Sequence, residues 1–280
     1  MATISLEIAP NEFIEASGIR FAFRRLGTRE GAPLICLQHF TGNMDSWDPA
    51  VINGLAQTRP LIVFDNSGVG KSSGKTPDNV AQMVADAEQF IAAFGFTKVD
   101  LLGYSLGGFV AQSLAAKNAG LVRKIILVGT APQGGEEHLL VVLKEAFSHK
   151  EAPDVRLPLF FTPSAASQAA GRAFLDRARV RTVDRDTESG KAISDPQAKA
   201  LIDWCASKDP KNTILNAINQ PVLVVCGSDD TMLPDSNAYF MFKHLKNAQL
   251  ILYPDSGHGA LFQYAELFVA HAHLFLTNDR

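Results

Sequence analysis

The chain is poor in cysteine, in surplus charge and in long apolar stretches. Its 280 residues include only three cysteines, and so small and odd a number implies no disulfide framework. Cys36 and Cys226 lie in apolar runs typical of strands, where a reduced thiol packs as a small hydrophobic group. The formal net charge is -3, which gives no electrostatic reason to expect nucleic acid as a partner.

The sequence also lacks signals for membrane insertion and for export. No stretch is apolar over the roughly 20 residues that a membrane-spanning helix needs, and the first residues lack the basic and then apolar run of a signal peptide. We therefore expect a cytoplasmic protein that binds no membrane, while a homodimer stays open. Because 46% of the residues are hydrophobic and 20% are charged, the chain can bury a large core as one domain with a sizeable insertion.

A Gly-Tyr-Ser-Leu-Gly motif at residues 103–107 is the most informative feature that is present. It follows a strand-like run at 98–102 and precedes a helix-like run at 109–117. A serine oxygen can attack a carbonyl only if the chain turns sharply from strand into helix, and small residues two positions on either side of Ser105 permit that turn. Taken alone, the motif favours a glycine-rich turn, but its context favours a nucleophile.

Two candidate partners follow the serine in the order that this arrangement requires, first an acid and then a histidine. A strand-like run at 221–226 ends in Gly-Ser-Asp-Asp, and a run at 249–253 leads into a glycine-flanked loop that contains His258. Adjacent aspartates point in different directions, so only one of Asp229 and Asp230 can face His258, and we favour Asp230. The other aspartate is expected to cap the turn or face water. For His258 alone, an exposed loop histidine is the alternative.

These motifs and their order resemble the α/β-hydrolases over nearly the whole chain, nearest to the branch of cofactor-free haloperoxidases, esterases and enol-lactonases. The segments at 34–37, 38–47 and 65–72 match the early strand, the oxyanion loop and the loop after the next strand. The resemblance implies an α/β fold with a mostly parallel, eight-stranded twisted sheet flanked by helices. It also implies that no metal or organic cofactor is needed, and that the amide N–H groups of Phe40 and Leu106 form an oxyanion hole. Leu106 qualifies on its own grounds too, because it would begin a helix, where unpaired N–H groups favour negative charge.

The oxyanion loop departs from the family pattern. The commoner pattern is His-Gly followed by an apolar residue, whereas this chain has Gln38-His39-Phe40. Either a residue with a side chain adopts the backbone conformation of the missing glycine, or Phe40 is displaced and the hole is built differently. His39 is a candidate second base, but we expect it to pack under the loop with local hydrogen bonds.

A second motif, at residues 68–72, ends as a phosphate-binding P-loop ends. The match is incomplete, because Asp65 occupies the position of the first required glycine and Pro77 prevents an uninterrupted helix after the loop. We interpret the segment as the tight loop that follows a central strand at 61–64, with Lys71 in solvent.

Alternating strand and helix patterns follow a predicted hairpin around Ser17-Gly18 and indicate a mostly parallel sheet. From 134 to 212 only helical patterns occur, so we predict a helical cap inserted into a hydrolase core of residues 1–133 and 213–280. The predicted cap helices are 136–147, 164–179 and a helix from the cap pair Asp195-Pro196 to about Ser207. The cap should close over Ser105, and its candidate substrate contacts are Leu157, Phe160, Phe161 and Trp204, for each of which packing within the cap is the alternative. Several arginines, including Arg177 and Arg181, are interleaved with acids and predict a solvated face.

The sequence therefore predicts a serine hydrolase with a small ester, thioester or lactone as its substrate. Hydrolysis of a carbon-carbon bond, or peroxide-dependent perhydrolysis as in cofactor-free haloperoxidases, would use the same three residues and is the nearest alternative. A receptor that keeps the hydrolase pocket for ligand binding is the alternative from another class.

Overall fold

An eight-stranded sheet forms the centre of the fold. The computed structural model describes residues 4–135 and 154–278, together with Leu139 and Lys144. In chain order the strands are β1 Glu12–Ala16, β2 Ile19–Leu26, β3 Leu34–Leu37, β4 Leu61–Phe64, β5 Val99–Tyr104, β6 Val122–Val128, β7 Val222–Gly227 and β8 Ala248–Tyr253. Their spatial order is β1-β2-β4-β3-β5-β6-β7-β8. β2 runs antiparallel to both of its neighbours, and all other pairs are parallel.

Helices cover both faces of this sheet. Among the described residues they are α1 Pro49–Ala56, α2 Val80–Ala93, α3 Leu106–Lys117, α4 Arg156–Phe160, α5 Ala165–Ala178, α6 Lys191–Ala206, α7 Thr213–Ala217, α8 Asp235–His244, α9 Ala260–Gln263 and α10 Ala265–Thr277. α2, α3 and α8 contribute to one apolar core, and α1, α5 and α10 contribute to the other. The parallel strands read as continuous apolar runs because they are buried on both faces. The predicted fold class is confirmed.

The first two strands form the predicted hairpin. Ser17 and Gly18 both have positive φ, at 50° and 81°, and this pair of conformations is the two-residue turn that matches the twist of antiparallel strands. Ala16 and Ile19 are therefore paired directly across the turn.

Strand register brings four chain segments to one edge of the sheet. Tyr104 at the end of β5 pairs with Val128 of β6, which pairs with Val225 of β7. Gly227 at the end of β7 in turn pairs with Tyr253 at the end of β8. Because the carboxyl ends of parallel strands meet at the same edge, the loops that follow them converge there.

Helices α4, α5 and α6 lie between β6 and β7, where the cap was predicted. The predicted helix 136–147 lies outside the described residues, apart from Leu139 and Lys144. The predicted start of the last cap helix at Asp195-Pro196 is wrong. The Gly190 carbonyl accepts hydrogen bonds from the N–H groups of Ile193 and Ser194, so the first turn closes earlier and Pro196 lies inside α6.

Two arginines of the predicted cap are bonded to residues of the predicted core. Arg177 donates to both carboxylate oxygens of Asp48, at 2.9 and 2.6 Å. Arg181 is 7% exposed, and its guanidinium donates to the backbone carbonyls of Leu6, Glu7 and Ala9. The prediction of a solvated arginine face is wrong for Arg181, whose guanidinium pairs with backbone carbonyls that would otherwise lack a donor. The Arg177 side chain stays 36% exposed beside the buried carboxylate of Asp48.

None of the helices in the described residues combines the length and the apolar character that crossing a membrane requires.

Candidate active site

Ser105 lies at a strained turn between β5 and α3. Its φ and ψ are 54° and -119°, a conformation that non-glycine residues rarely adopt. The turn is held by three hydrogen bonds: the Ser105 N–H donates to the Val128 carbonyl, and the Ser105 carbonyl accepts from the Gly108 N–H and the Thr130 hydroxyl, at 2.8 to 2.9 Å. Such strain persists only where its surroundings enforce it, and it is concentrated at functional sites.

The glycines of the motif permit close packing around this turn. A Cβ atom at Gly103 would lie 2.6 Å from the Gly107 carbonyl oxygen, and one at Gly107 would lie 2.1 Å from the Leu37 carbonyl oxygen. Both distances are far below van der Waals contact, so neither position accepts a side chain without a backbone shift. The close approach of Gly107 to Leu37 sets the first turn of α3 against the loop that follows β3.

His258 and Asp230 form a buried hydrogen-bonded pair. His258 Nδ1 lies 2.8 Å from Asp230 Oδ2, and both residues are buried. The other carboxylate oxygen of Asp230 accepts the backbone N–H groups of Met232 and Leu233 at 2.9 and 3.0 Å, which fixes the carboxylate. Because Nδ1 faces a carboxylate, it carries the proton, and Nε2 presents a lone pair. The adjacent Asp229 is exposed.

Tyr104 links the serine turn to the histidine loop. Its ring centroid lies 5.3 Å from that of His258, and its hydroxyl donates to the His258 carbonyl at 3.2 Å. Ser105 is the next residue along the chain, so the serine and the histidine share one edge of the sheet. Within the described parts of the chain, no hydrogen bond joins Ser105 Oγ to His258.

The loop that contains Phe40 is held in place without the family's glycine. The Gln38 side chain accepts the His39 N–H at 2.8 Å and donates to the Asn43 carbonyl at 3.1 Å. Positive φ in this loop occurs at Thr41, at 60°, and not at His39, so a side chain at position 39 brings no backbone strain. The Thr41 N–H donates to the Gln197 side chain of α6 at 2.6 Å.

His39 packs beneath this loop, as predicted. It is 7% exposed, and its Nδ1 lies 2.7 Å from the Phe40 carbonyl oxygen. Its ring contacts those of Tyr104 and Phe160, with centroids 5.2 and 5.6 Å away. Burial lowers the pKa of His39 to about 3, so the ring is neutral near pH 7.

The four cap residues singled out from the sequence occupy different surroundings. Phe160 lies 5.6 Å from the His258 ring, centroid to centroid, and its carbonyl accepts the Gly259 N–H. Phe161 packs against Phe174 of α5, and Leu157 approaches Gly171 of the same helix. Trp204 stacks on Phe109 of α3 at 5.1 Å. Of these four residues, Phe160 is the one whose ring contacts the ring of His258.

Two hydrogen bonds that join the histidine loop to the residues just before α5 were not predicted from the sequence. The hydroxyls of Thr162 and Ser164 each donate at 2.6 Å to one carboxylate oxygen of Asp255, and these bonds lower the pKa of Asp255. Asp255 has a φ of 45°, and aspartate is among the residues that tolerate this region. Asp-Ser-Gly at 255–257 is a turn signal, but nothing in its spacing indicates that Asp255 pairs with Thr162 and Ser164.

A charge cluster packs against the loop that follows β3, and it consists of Arg24, Asp45, Asp65, Lys71 and Asp186. Arg24 is fully buried and donates to both oxygens of Asp45, at 2.6 and 3.2 Å. The Lys71 ammonium lies 3.2 Å from an Asp186 oxygen. The prediction that Lys71 faces solvent is therefore wrong, because a buried carboxylate from the cap needs a cation. Burial, and after it the charge of Asp186, raises the pKa of Asp65 to about 7.

Among the residues that the structure describes, no three histidine, cysteine or acidic side chains come together as a metal-binding group. The thiols of Cys36, Cys205 and Cys226 are buried, and no disulfide joins them.

Comparisons with known proteins agree with this fold. A family model described as alpha/beta hydrolase fold matches residues 32–264. An alpha/beta hydrolase fold protein from Chitinophaga pinensis is 44% identical, covers 98% of this chain and 99% of its own, and superposes with a TM-score of 0.93.

Two curated relatives are more distant in sequence. The proline iminopeptidase PfmaB of Pestalotiopsis fici is 28% identical, over 92% of this chain and 96% of its own. A pimeloyl-acyl-carrier-protein methyl ester esterase of Neisseria meningitidis is 29% identical, over 77% of this chain and 82% of its own. The predicted resemblance and the predicted enzyme class are confirmed: the chain belongs to the alpha/beta hydrolase fold family of hydrolases.

Proposed function

We propose that this protein is a serine hydrolase that cleaves a small carboxylic ester, thioester or lactone through an acyl-enzyme. The observation that carries the proposal is the hydrogen bond between His258 and Asp230, at the sheet edge where Ser105 occupies a strained strand-to-helix turn. The curated esterase relative supports ester substrates.

In the first half of the reaction, Ser105 Oγ attacks the substrate carbonyl carbon while His258 Nε2 takes the hydroxyl proton. Asp230 holds the proton on Nδ1 and stabilises the imidazolium that forms. The hydroxyl must come within hydrogen-bond distance of Nε2 for this step, and such contacts often shorten only once substrate is bound. Collapse of the tetrahedral intermediate breaks the bond to the leaving oxygen or sulfur, which takes the proton from His258.

In the second half, water attacks the acyl carbon and gives a proton to His258. The acid product leaves, and the proton returns to Ser105. The backbone N–H groups of Leu106 and Phe40 stabilise the oxyanion in both halves. Leu106 is the first residue of α3, so its N–H has no partner one turn earlier in the helix. Each donor of this kind contributes a factor of about 100 to 1,000 to turnover.

The test is active-site labelling followed by mass spectrometry of the intact protein and its peptides. A fluorophosphonate should add one adduct, at Ser105, and Ser105→Ala should lose both the adduct and the turnover of short-chain aryl esters. Ser113→Ala is the matched control, because it makes the same change within α3, about two turns after Ser105. It should keep both properties. An adduct at another residue, or full turnover by Ser105→Ala, would contradict the proposal.

A substrate panel separates the neighbouring activities. It should include esters, thioesters, lactones, a vinylogous 1,5-diketone for carbon-carbon cleavage, peroxide with acetate for perhydrolysis, and a prolyl anilide, since one relative is named a proline iminopeptidase. Turnover of the esters, thioesters or lactones above the others supports the proposal. A protein that binds these compounds but neither reacts with the fluorophosphonate nor turns them over is a receptor.

A further inference from the structure

His39 has one ring nitrogen with no partner. Its Nε2 atom is buried and accepts or donates no hydrogen bond among the described residues, while Nδ1 is bound to the Phe40 carbonyl. An unsatisfied buried polar group costs free energy, and an exception in a folded protein requires an explanation. The protonation of the ring decides which kind of partner this nitrogen could take.

The tautomer of His39 determines whether Nε2 can donate or accept a hydrogen bond. A carbonyl oxygen can only accept, so Nδ1 must carry the hydrogen that joins it to Phe40. Because burial lowers the pKa of the ring to about 3, there is no second proton. Nε2 is therefore a bare lone pair that can accept a hydrogen bond and cannot donate one.

The ring of His39 lies beside the candidate active site. The His39 ring lies against the rings of Tyr104 and Phe160, and the same two rings lie against His258. His39 also directly precedes Phe40, the proposed oxyanion donor.

We propose that His39 Nε2 accepts a hydrogen bond from an O–H or N–H group of the substrate, close to the scissile carbonyl. The enzyme would thus act on hydroxyacyl or aminoacyl compounds in preference to plain acyl compounds. This inference rests on the proposed function and narrows its substrate class. A site built around a buried acceptor discriminates strongly against a substrate without the matching donor, because the acceptor is then left unpaired.

The first experiment compares matched substrates on the unaltered protein. Short-chain esters with a hydroxyl at the second, third or fourth acyl carbon are set against their methyl ethers, and aminoacyl esters are set against their dimethylamino analogues. The ether and the tertiary amine, assayed uncharged, keep the heteroatom and lose the donor. We expect kcat/KM to favour the donor by about tenfold or more at one position at least. The arm that shows the preference distinguishes a hydroxyl from an amine.

The second experiment changes the histidine. His39→Phe keeps a ring and removes the acceptor, so it should abolish the preference. It also removes the Nδ1 bond to the Phe40 carbonyl, and any loss of turnover from that change should affect the donor ester and the donor-free ester equally. His271→Phe is the matched control. His271 lies on α10 and also has a tyrosine ring as its neighbour, that of Tyr253. Its replacement should leave the preference unchanged.

The third experiment needs no turnover and separates this inference from the proposed function. In Ser105→Ala protein, the ¹⁵N resonance of His39 Nε2 should show an unprotonated nitrogen that shifts when a hydroxy or amino ester is added and not with its donor-free analogue. A protein that hydrolyses no ester but shows this shift would refute the proposed activity alone. A protonated Nε2, no shift with any donor, equal kcat/KM for every pair, or a preference that survives in His39→Phe would overturn the inference.

Discussion

Asp230 and Asp229 are neighbours in sequence with different surroundings. The fixed carboxylate of Asp230 accepts from His258 Nδ1 and from two backbone N–H groups, whereas Asp229 is exposed and accepts from Ser228. The preference for Asp230 could be stated from the sequence, but no periodicity distinguishes two aspartates that both follow a strand. The distinction arises from the turn at 230–233, which closes on the Asp230 carboxylate.

The two aspartates give a direct test at this scale. Asp230→Asn would set an amide N–H against His258 Nδ1 and favour the tautomer with its proton on Nε2, so kcat should fall by about ten-thousandfold. Asp229→Asn is the matched control and should change kcat by less than about threefold. Steady-state kinetics on an aryl ester checks both variants. Equal, mild effects would mean that the acid lies elsewhere.

The burial of His39 was predictable from the sequence, whereas its unpaired ring nitrogen was not. Its burial and its local hydrogen bond could be anticipated, because a histidine in a loop beneath a cap usually packs. The unpaired nitrogen could not, since it depends on which carbonyl the other nitrogen meets.

At the scale of elements, the strands were largely predictable. Buried parallel strands read as short apolar runs, and β3 and β4 begin and end where those runs do. The start of α6 was not predictable, because Asp195-Pro196 is a strong helix-start signal. The helix begins instead at Lys191, and its first turn closes on the Gly190 carbonyl.

The packing of β5, α3 and the end of β3 makes a prediction about stability. Gly107→Ala would place a Cβ 2.1 Å from the Leu37 carbonyl oxygen, so the free energy of unfolding should fall by about 2 to 3 kcal/mol. Gly120→Ala is the matched control, because a Cβ there meets no atom within 4 Å and its φ is not positive. Urea denaturation followed by circular dichroism measures both. An unchanged midpoint for Gly107→Ala would show that the turn has more room than its geometry indicates.

At the scale of the whole molecule, the charge cluster joins segments that are far apart in sequence. Its members come from β2, from the loops after β3 and β4, and from the cap. Sequence patterns could suggest a loop at 65–72, but the partner of Lys71 lies 115 residues away. Long-range ion pairs carry no local signal, and for that reason the cluster was not predicted.

This cluster predicts a pH dependence of stability. The pKa of Asp65 in the folded protein is raised to about 7, against about 3.9 in an unfolded chain. A raised pKa means that the folded state holds the proton more tightly than the unfolded chain does. The stabilisation of the fold by protonated Asp65 is therefore full below about pH 4 and is lost as pH rises through 7. Asp65→Asn removes the titration. The stability of the variant relative to the parent should therefore rise between pH 4 and 8.

Urea titrations at several pH values check this prediction. Asp195→Asn removes an exposed acid and serves as the control, with a stability difference that should stay constant over the same range. A constant difference for Asp65→Asn as well would show that Asp65 is ionised in the folded state throughout.

The hydrogen bond from the Thr41 N–H to Gln197 couples the loop that contains Phe40 to the position of α6. Thr41 directly follows Phe40, the proposed oxyanion donor, and its left-handed backbone is held by a side chain of that helix. A displacement of α6 that breaks this bond would also release the loop, so the proposed oxyanion site keeps its geometry only while the helix stays in place.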